Sequence, residues 1–326
     1  MSARELWFTA PGRVEIRAAV GPAPLGAEQL RARALASGLS QGTELLLFKG
    51  EGPTPFDPSL DAPGAPTYPR RYGYAWVGEV IESQSAEHPL GARVFALAPH
   101  GDEHCLAASQ ARLLPADVPA SRAVLAANLE TALNVVWDAG VALGDDVVVI
   151  GGGVVGLLAG YAAKRSGAAS VQLLEPGEAR RRAALTLGFD GAFDSDAAAQ
   201  LAEADVVIEA SGNPACLDQA IALARDEGLI TVASFYGARV APVALGSAFH
   251  RRRLTLRSSQ VSRLPPGRAP RWSFERRFWL VCELLKDRAL DALLEAPIPF
   301  DDAPAAYARL ARAPGAALQT SFDYAR

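Results

Sequence analysis

Three glycines, Gly151, Gly153 and Gly156, follow the apolar run Val147-Val148-Val149-Ile150 and open a stretch of helix-forming residues. Each has its own task in that setting. The first allows a tight turn, the second lets backbone approach a diphosphate, and the third lets the helix pack closely on its strand. The helix that follows adds unpaired N–H donors and the positive end of its dipole, so Gly151, Gly153, Val154, Val155 and Gly156 are expected to cradle the diphosphate of a dinucleotide. Glu175 lies 19 positions past Gly156, at the end of the next apolar run. A carboxylate there accepts hydrogen bonds from ribose hydroxyls and repels a 2′-phosphate, which favours NAD(H). Arg180, Arg181 and Arg182 open the next helix and keep NADP(H) open, with Arg180 counted among the cofactor residues. An ordinary strand-to-helix turn would account for the glycines alone but not for the acid and both flanks.

Two later loops have the same kind of placement. Ala210-Ser211-Gly212 follows the apolar run ending at Glu209, and Phe235-Tyr236 follows the run Leu229–Ala233. Loops at the carboxyl ends of parallel strands line the ligand crevice, so Ala210, Ser211, Gly212, Phe235 and Tyr236 are expected near a nicotinamide ring. Thr131 and Asn134 sit on the helix that leads into the turn and are candidates for cofactor or substrate contact.

The elements that must hold these residues alternate from about residue 122. Apolar runs Val147–Ile150, Val171–Leu174, Val206–Glu209 and Leu229–Ala233 are separated by helical stretches near Val155–Arg165, Glu178–Leu187 and Ala215–Ala224, the pattern of an α/β doubly wound parallel sheet. Before that, residues 1–121 read as short strands (Arg13–Arg17, Gln29–Ala36, Tyr74–Ile81) broken by Pro and Gly, with a proline-rich loop over Gly50–Pro69. After a strand near Leu254–Arg257 come a Pro- and Arg-rich stretch, Ser262–Arg271, and an apolar helix, Trp272–Lys286. Three segments are therefore expected: a β-rich domain over 1–121, a dinucleotide domain over 122–264, and a segment 265–326 that returns to the first domain. Two domains sharing one cleft suit 326 residues.

Composition excludes other classes. With 32 Lys and Arg against 36 Asp and Glu the net charge is −4, so no overall positive field attracts nucleic acid. The basic run His250-Arg251-Arg252-Arg253 reads as a solvated strand entrance. The opening MSARELWFTAPGRVEIR lacks a signal-peptide core and no long apolar span occurs, which implies a cytoplasmic protein without a membrane partner. Cys105, Cys216 and Cys282 are scattered and odd in number, and reduced thiols are expected.

The stretches Ser37-Gly38-Leu39-Ser40-Gln41-Gly42-Thr43-Glu44, Tyr72-Gly73-Tyr74-Ala75-Trp76-Val77-Gly78, Gly91-Ala92-Arg93-Val94, the glycine turn and Glu209-Ala210-Ser211-Gly212 together resemble the medium-chain dehydrogenase/reductase superfamily over nearly the whole chain. The resemblance implies a GroES-like β-rich catalytic domain joined to a Rossmann domain. Zinc-dependent alcohol dehydrogenases of that superfamily carry metal ligands at positions matched here by Ser40, Tyr74 and Ala127, none of which is a plausible zinc ligand. The four-cysteine structural zinc lobe is missing too. The sequence is similar to a zinc-free branch that includes bacteriochlorophyllide dehydrogenase. His100 and His104 stand four apart, but a glycine after a proline argues against a helical metal pair, and no metal is expected.

Without a Lewis acid, hydrogen-bond donors must polarise the substrate oxygen. Tyr74, in a vacated ligand position, is a candidate proton donor or an aromatic filler, and Ser40 is its neighbour in the resemblance. His100 is a candidate acid–base group or a loop histidine. Glu44 is a candidate base or a cap for the helix beginning at Leu45. The chemistry expected is hydride transfer between a nicotinamide and an alcohol or carbonyl. Reduction of an activated C=C bond, or dinucleotide binding without catalysis, are the alternatives. A small-molecule substrate is implied, and the resemblance implies a homodimer joined through the strand near Leu254–Ser258.

Overall fold

In the computed structural model, residues 3–21, 23–51, 68–237, 239–313, 315 and 317–325 are described. Contacts divide the chain into two units. One comprises Met1–Ala127, Cys282–Arg288 and Leu294–Arg326; the other comprises Asn128–Val281 and Ala289–Leu293. Most of the expected loop Gly50–Pro69, namely residues 52–67, lies outside the described residues.

The first unit is built on a long central strand. Strands β1 (Arg4–Ala10) and β2 (Arg13–Ala18) form a hairpin, and β3 (Gln29–Gly38) precedes the short helix α1 (Thr43–Lys49). Then come β4 (Trp76–Ser83), β5 (Arg93–Ala96), β6 (Glu103–Ala107), β7 (Arg112–Leu113) and α2 (Ala120–Ala123). In β3 the alternation QLRARALASG turns Leu30, Ala32 and Ala34 inward, the period-two pattern of a strand with one buried face. β3 pairs antiparallel with β4, β6 and the late strand at Ser321–Asp323, whose Phe322 stands opposite Ser37. Leu6, Phe8, Leu30, Trp76, Val94, Tyr307 and Phe322 form its core.

The second unit takes up α3 (Ala126–Asp138) from residue 128 on, β8 (Asp146–Ile150), α4 (Val154–Arg165), β9 (Ser170–Leu174), α5 (Glu178–Thr186) and β10 (Gly191–Phe193). It continues with β11 (Ala204–Glu209), α6 (Cys216–Leu223), β12 (Ala224–Val232), β13 (Thr255–Ser258) and most of α7 (Phe274–Leu284). The six strands are parallel in the order β10-β9-β8-β11-β12-β13. Continuous apolar runs such as Val147–Ile150 suit this placement, since a parallel strand covered on both faces has no solvent side. The chain winds from β8 outward through β9 to β10, then restarts at β11 on the other side. The order therefore reverses between β8 and β11, where such sheets hold their ligands.

The expected strands and helices of this unit appear with ends shifted by a few residues. The three-residue β10 was not expected, having no apolar run of its own; pairing with β9 makes it a strand. A larger difference concerns the stretch 265–281, which belongs to the second unit rather than to the returning segment. Arg277 is the reason. It is buried, and its guanidinium donates to Glu130 at 3.3 Å, to Asn134 Oδ1 at 3.0 Å and to the Val261 carbonyl at 2.9 Å. A buried cation is tolerable only when paired, and this one finds its partners on α3. The chain returns to the first unit with β14 (Ile298–Pro299), α8 (Ala303–Arg312) and β15 (Ser321–Asp323).

Candidate functional site

At the carboxyl ends of β8 and β11 the glycine turn is closed on itself. Gly151 has φ +98°, and a Cβ there would stand 2.5 Å from the Ser211 Cα. A Cβ on Gly156 would stand 2.1 Å from the Gly151 carbonyl oxygen. Both positions demand glycine, one for φ and close approach, the other for helix-on-strand packing. Gly153 differs: its backbone is extended (φ −65°, ψ 168°) and a Cβ would meet nothing within 4 Å. The protein does not need glycine there for its own packing. Gly153 is the N-cap of α4 and offers no side-chain cap, so the first N–H groups of the helix, at Val154 and Val155, receive no acceptor from that position.

Glu175 is buried beside the turn. One carboxylate oxygen accepts the Gly152 N–H at 2.6 Å and the other accepts the Gly177 N–H at 2.8 Å. Of the three arginines that follow, Arg180 is the one whose guanidinium adjoins the Glu175 carboxylate, at 3.7 Å. Arg181 is committed to Asp194 and to the Glu175 and Pro176 carbonyls, and Arg182 to Glu178.

A second buried acid, Glu209, organises the neighbouring loop. Its Oε1 accepts both the Ser211 N–H, at 2.8 Å, and the Ser211 hydroxyl, while Oε2 accepts the Tyr236 hydroxyl. Burial first, then the Glu209 charge, raises the Tyr236 pKa, so the phenol stays a donor. Gly212 N–H donates to Ser234 Oγ at 2.8 Å, tying the loop after β11 to the loop after β12. Tyr236 is thus occupied by its own protein, whereas Phe235 is 54% exposed. Glu209 was named only as part of a motif. An acid closing a buried apolar strand was the signal that it would be engaged. Ala210 is half-buried in the same loop. Thr131 is half-buried on α3, while Asn134 is fully buried and holds Asp138, Gln260 and Arg277, which leaves it a structural part.

In the first unit, Ser40 and Tyr74 meet. The Tyr74 hydroxyl donates to Ser40 Oγ, which also accepts the Thr43 N–H at 3.3 Å. Beneath them Glu44, with no exposed surface, accepts the Ser40 N–H at 2.9 Å, His100 Nε2–H at 2.9 Å and the Tyr307 hydroxyl. A carboxylate only accepts, so His100 Nε2 carries a proton, and in the neutral ring Nδ1 then accepts from Ser37 Oγ at 2.6 Å. Ser37 in turn accepts from Tyr324 at 2.6 Å. His100 also packs edge-on against Phe322, with ring centroids 5.0 Å apart.

This geometry revises two expectations. Glu44 does not cap α1 from the N-cap position, which is Gly42; it reaches back to the Ser40 amide and forms the only carboxylate of a buried polar cluster. His100 is 1% exposed with both ring nitrogens engaged, which fits a bridge inside the unit better than a group exchanging protons with a substrate. Tyr307 and Tyr324 gave no sequence signal, since they come from the returning segment more than 250 residues away. His104 bonds the Pro99 carbonyl at 2.8 Å and does not pair with His100 as a metal site would require.

The superfamily's zinc can be tested against these donors. At the matched positions stand two hydroxyls bonded to each other and an alanine, and among the described residues no group of three His, Cys, Asp or Glu is gathered to hold a metal. That donor set does not fit Zn²⁺, which takes thiolate, imidazole or carboxylate.

The family model for zinc-binding dehydrogenases matches residues 154–272, a stretch that includes none of Ser40, Tyr74 or Ala127. The chain is 27% identical over 311 residues to D-guloside 3-dehydrogenase of Escherichia coli K12, covering 90% of this chain and 87% of that protein. Its fold matches 2R,3R-butanediol dehydrogenase of Bacillus subtilis with TM-score 0.81 at 18% identity, over 99% of this chain and 100% of that one. It also matches an alcohol dehydrogenase of Escherichia coli CFT073 complexed with NADH, with TM-score 0.79 at 18% identity, over 99% and 100%. The family match over residues 154–272, the likeness to the guloside dehydrogenase over 90% of the chain and the shared two-unit fold together support the medium-chain dehydrogenase/reductase superfamily and an NAD(P)-dependent dehydrogenase.

Proposed function

We propose that the protein is a zinc-independent, NAD(H)-preferring oxidoreductase that interconverts a hydroxyl and a carbonyl on a carbohydrate-like substrate, and that it works as a cytoplasmic homodimer. The observation that carries this reading is the open space at Gly153 before an uncapped helix, flanked by buried Glu175. Those residues fit a dinucleotide: the α4 N–H groups hold the diphosphate and Glu175 receives the adenosine ribose. Bound nicotinamide supplies the two-electron exchange. The substrate class follows from likeness to the guloside dehydrogenase. Zinc independence is supported by the donor chemistry of Ser40 and Tyr74, and the dimer by β13, an edge strand whose four residues are all exposed. The test is a panel of sugars, polyols, aldehydes and enones with NADH and NADPH on metal-analysed protein. Turnover that requires stoichiometric zinc, or occurs only on C=C bonds, overturns the proposal.

Tyr74 serves here as a neutral donor that turns its one proton from Ser40 to the substrate oxygen. Burial, with a smaller contribution from the Glu44 charge, pushes its pKa up to about 12, so the proton is in place at every lower pH. Tyr74→Phe should lower kcat about 100-fold, in the range for losing one donor to a developing oxyanion, with little change in KM. The wild-type kcat/KM profile should show no alkaline fall assignable to Tyr74 below pH 10. A fall below that pH that vanishes in Tyr74→Phe would contradict the donor role.

Glu175→Gln keeps an acceptor for one of the two glycine amides and removes the charge that repels a 2′-phosphate. We expect the ratio of kcat/KM for NADPH over NADH to rise about tenfold, and Arg180→Ala in the same protein to cancel the gain. An unchanged ratio would remove Glu175 from cofactor choice.

A further inference from the structure

The arginine-rich stretch noted in the sequence is not absorbed by the dehydrogenase reading. Residues 251–277 carry nine arginines and one acid, Glu275, in a chain whose net charge is −4. Several of the nine are neutralised. Arg252 pairs with Glu203 and Asp226, Arg253 with Glu227, and Arg277 with Glu130. Three others, Arg257, Arg268 and Arg271, form no ion pair among the described residues, and all three line a single cavity of about 660 Å³ in the second unit.

That cavity has a firm wall. Trp137 forms one side, stacked at a tilt on Trp272 with centroids 4.7 Å apart, and Arg268 lies over Trp137 at 5.4 Å. Arg276 covers Trp272 at 4.2 Å and donates to the Arg271 carbonyl, which fixes the backbone that carries Arg271. Pro265 and Pro266 also line it and stiffen the backbone there. The one carboxylate in the lining, Asp138, is already committed: its Oδ2 accepts from Asn134 at 3.0 Å and from Ser259 at 2.7 Å. Arg257 gives one N–H to the Asp138 backbone carbonyl, at 2.7 Å, and keeps the rest of its fork.

Three guanidiniums share one concave site with a single carboxylate, Asp138, and the excess positive charge is one that a bound anion relieves. Trp272 and Arg268 both already pack on Trp137, so the site asks for anionic oxygens rather than for a ring to stack. None of its lining residues belongs to the glycine turn or to the loops after β11 and β12.

We propose that this cavity is a second ligand site, separate from the dinucleotide turn, that binds a small polyanion with clustered phosphate or carboxylate oxygens through Arg257, Arg268 and Arg271. The inference does not depend on the proposed reaction. The test is calorimetric titration of the full-length chain with pyrophosphate and, separately, citrate, at low ionic strength, which tells phosphate from carboxylate recognition. To keep the dinucleotide turn out of the measurement, the titration is repeated on Gly153→Asp. One site per chain should remain, weakening steeply with salt. Arg268→Ala and Arg271→Ala should each weaken it at least tenfold, while Arg251→Ala, on the same stretch but outside the cavity, should stay within twofold. If Arg268→Ala perturbs the fold by circular dichroism, Arg271→Gln at its exposed position carries the same test. Binding that disappears in Gly153→Asp, or that ignores the arginine substitutions, overturns the proposal. So does a shift of the monomer–dimer equilibrium by those substitutions with no binding of either anion, which would assign the cavity to an acidic segment of a second copy.

Discussion

Gly153→Asp is expected to leave the protein folded and to weaken NADH binding by two orders of magnitude or more. The two effects separate because the residue's surroundings differ from those of the other glycines in the turn. A Cβ at Gly153 meets nothing within 4 Å, the backbone is in an ordinary extended conformation, and the position is the N-cap of α4. Aspartate is among the preferred N-cap residues, and its charge complements the helix dipole, so stability should hold or rise by roughly 0.5 kcal/mol. The same carboxylate then occupies the place assigned to the diphosphate. Like charges about 4 Å apart at an effective dielectric of 20 repel by about 4 kcal/mol, more than two decades in affinity. Gly156→Ala makes the contrast. Its Cβ would stand 2.1 Å from the Gly151 carbonyl, so α4 must move off its strand, and overpacking of that kind costs about 1–3 kcal/mol. Melting temperature and binding should fall together in that variant. Fluorescence titration with NADH, beside thermal unfolding, distinguishes the two patterns. Wild-type affinity in Gly153→Asp would mean that the diphosphate does not lie there.

How much of this was legible in the sequence depends on the range of the interactions. The turn could be read because it is local: strand, three glycines and helix lie within ten residues, and Glu175 comes from the next strand of the same winding. The parallel sheet could be read for the same reason, since apolar runs of four or five residues have few other uses. The cluster under Tyr74 could not. Glu44 and His100 showed their residue types, but what they do is decided by Tyr307, Tyr324 and Phe322, which reach β3 only after the whole second unit has been threaded. Motif spacing carries no information about such partners. The destination of residues 265–281 was equally hidden, because it depends on a buried guanidinium meeting Glu130 and Asn134 across more than 140 residues.

Glu44→Ala should be the most destabilising single change in the first unit, by about 3–5 kcal/mol, because three buried donors lose one shared acceptor. The carboxylate is the common acceptor for the Ser40 N–H, the His100 Nε2–H and the Tyr307 hydroxyl, none of which has access to water as a substitute. Each buried donor left without an acceptor costs about 1–3 kcal/mol, and removing the cost of burying the carboxylate itself offsets only part of that. Glu44→Gln should cost less, about 2–3 kcal/mol, because the cluster can reverse direction in part. The amide oxygen keeps the Ser40 N–H and the amide N–H groups face His100 Nε2 and the Tyr307 oxygen; the ring shifts its proton to Nδ1 and donates to Ser37, and the unmet donors become the Tyr307 and Tyr324 hydroxyls. The ordering of alanine below glutamine below wild type, measured by denaturant unfolding, therefore tests the direction of the hydrogen bonds as well as their existence. Equal losses in the two variants would show that the chain of donors does not run from Tyr324 through His100 to Glu44. A loss under 1 kcal/mol in Glu44→Ala would remove the cluster as a determinant of the unit's stability. Because the Ser40 amide is one of the three donors, the alanine variant should also release the turn that holds Ser40 against Tyr74, lowering turnover even at temperatures where the protein stays folded.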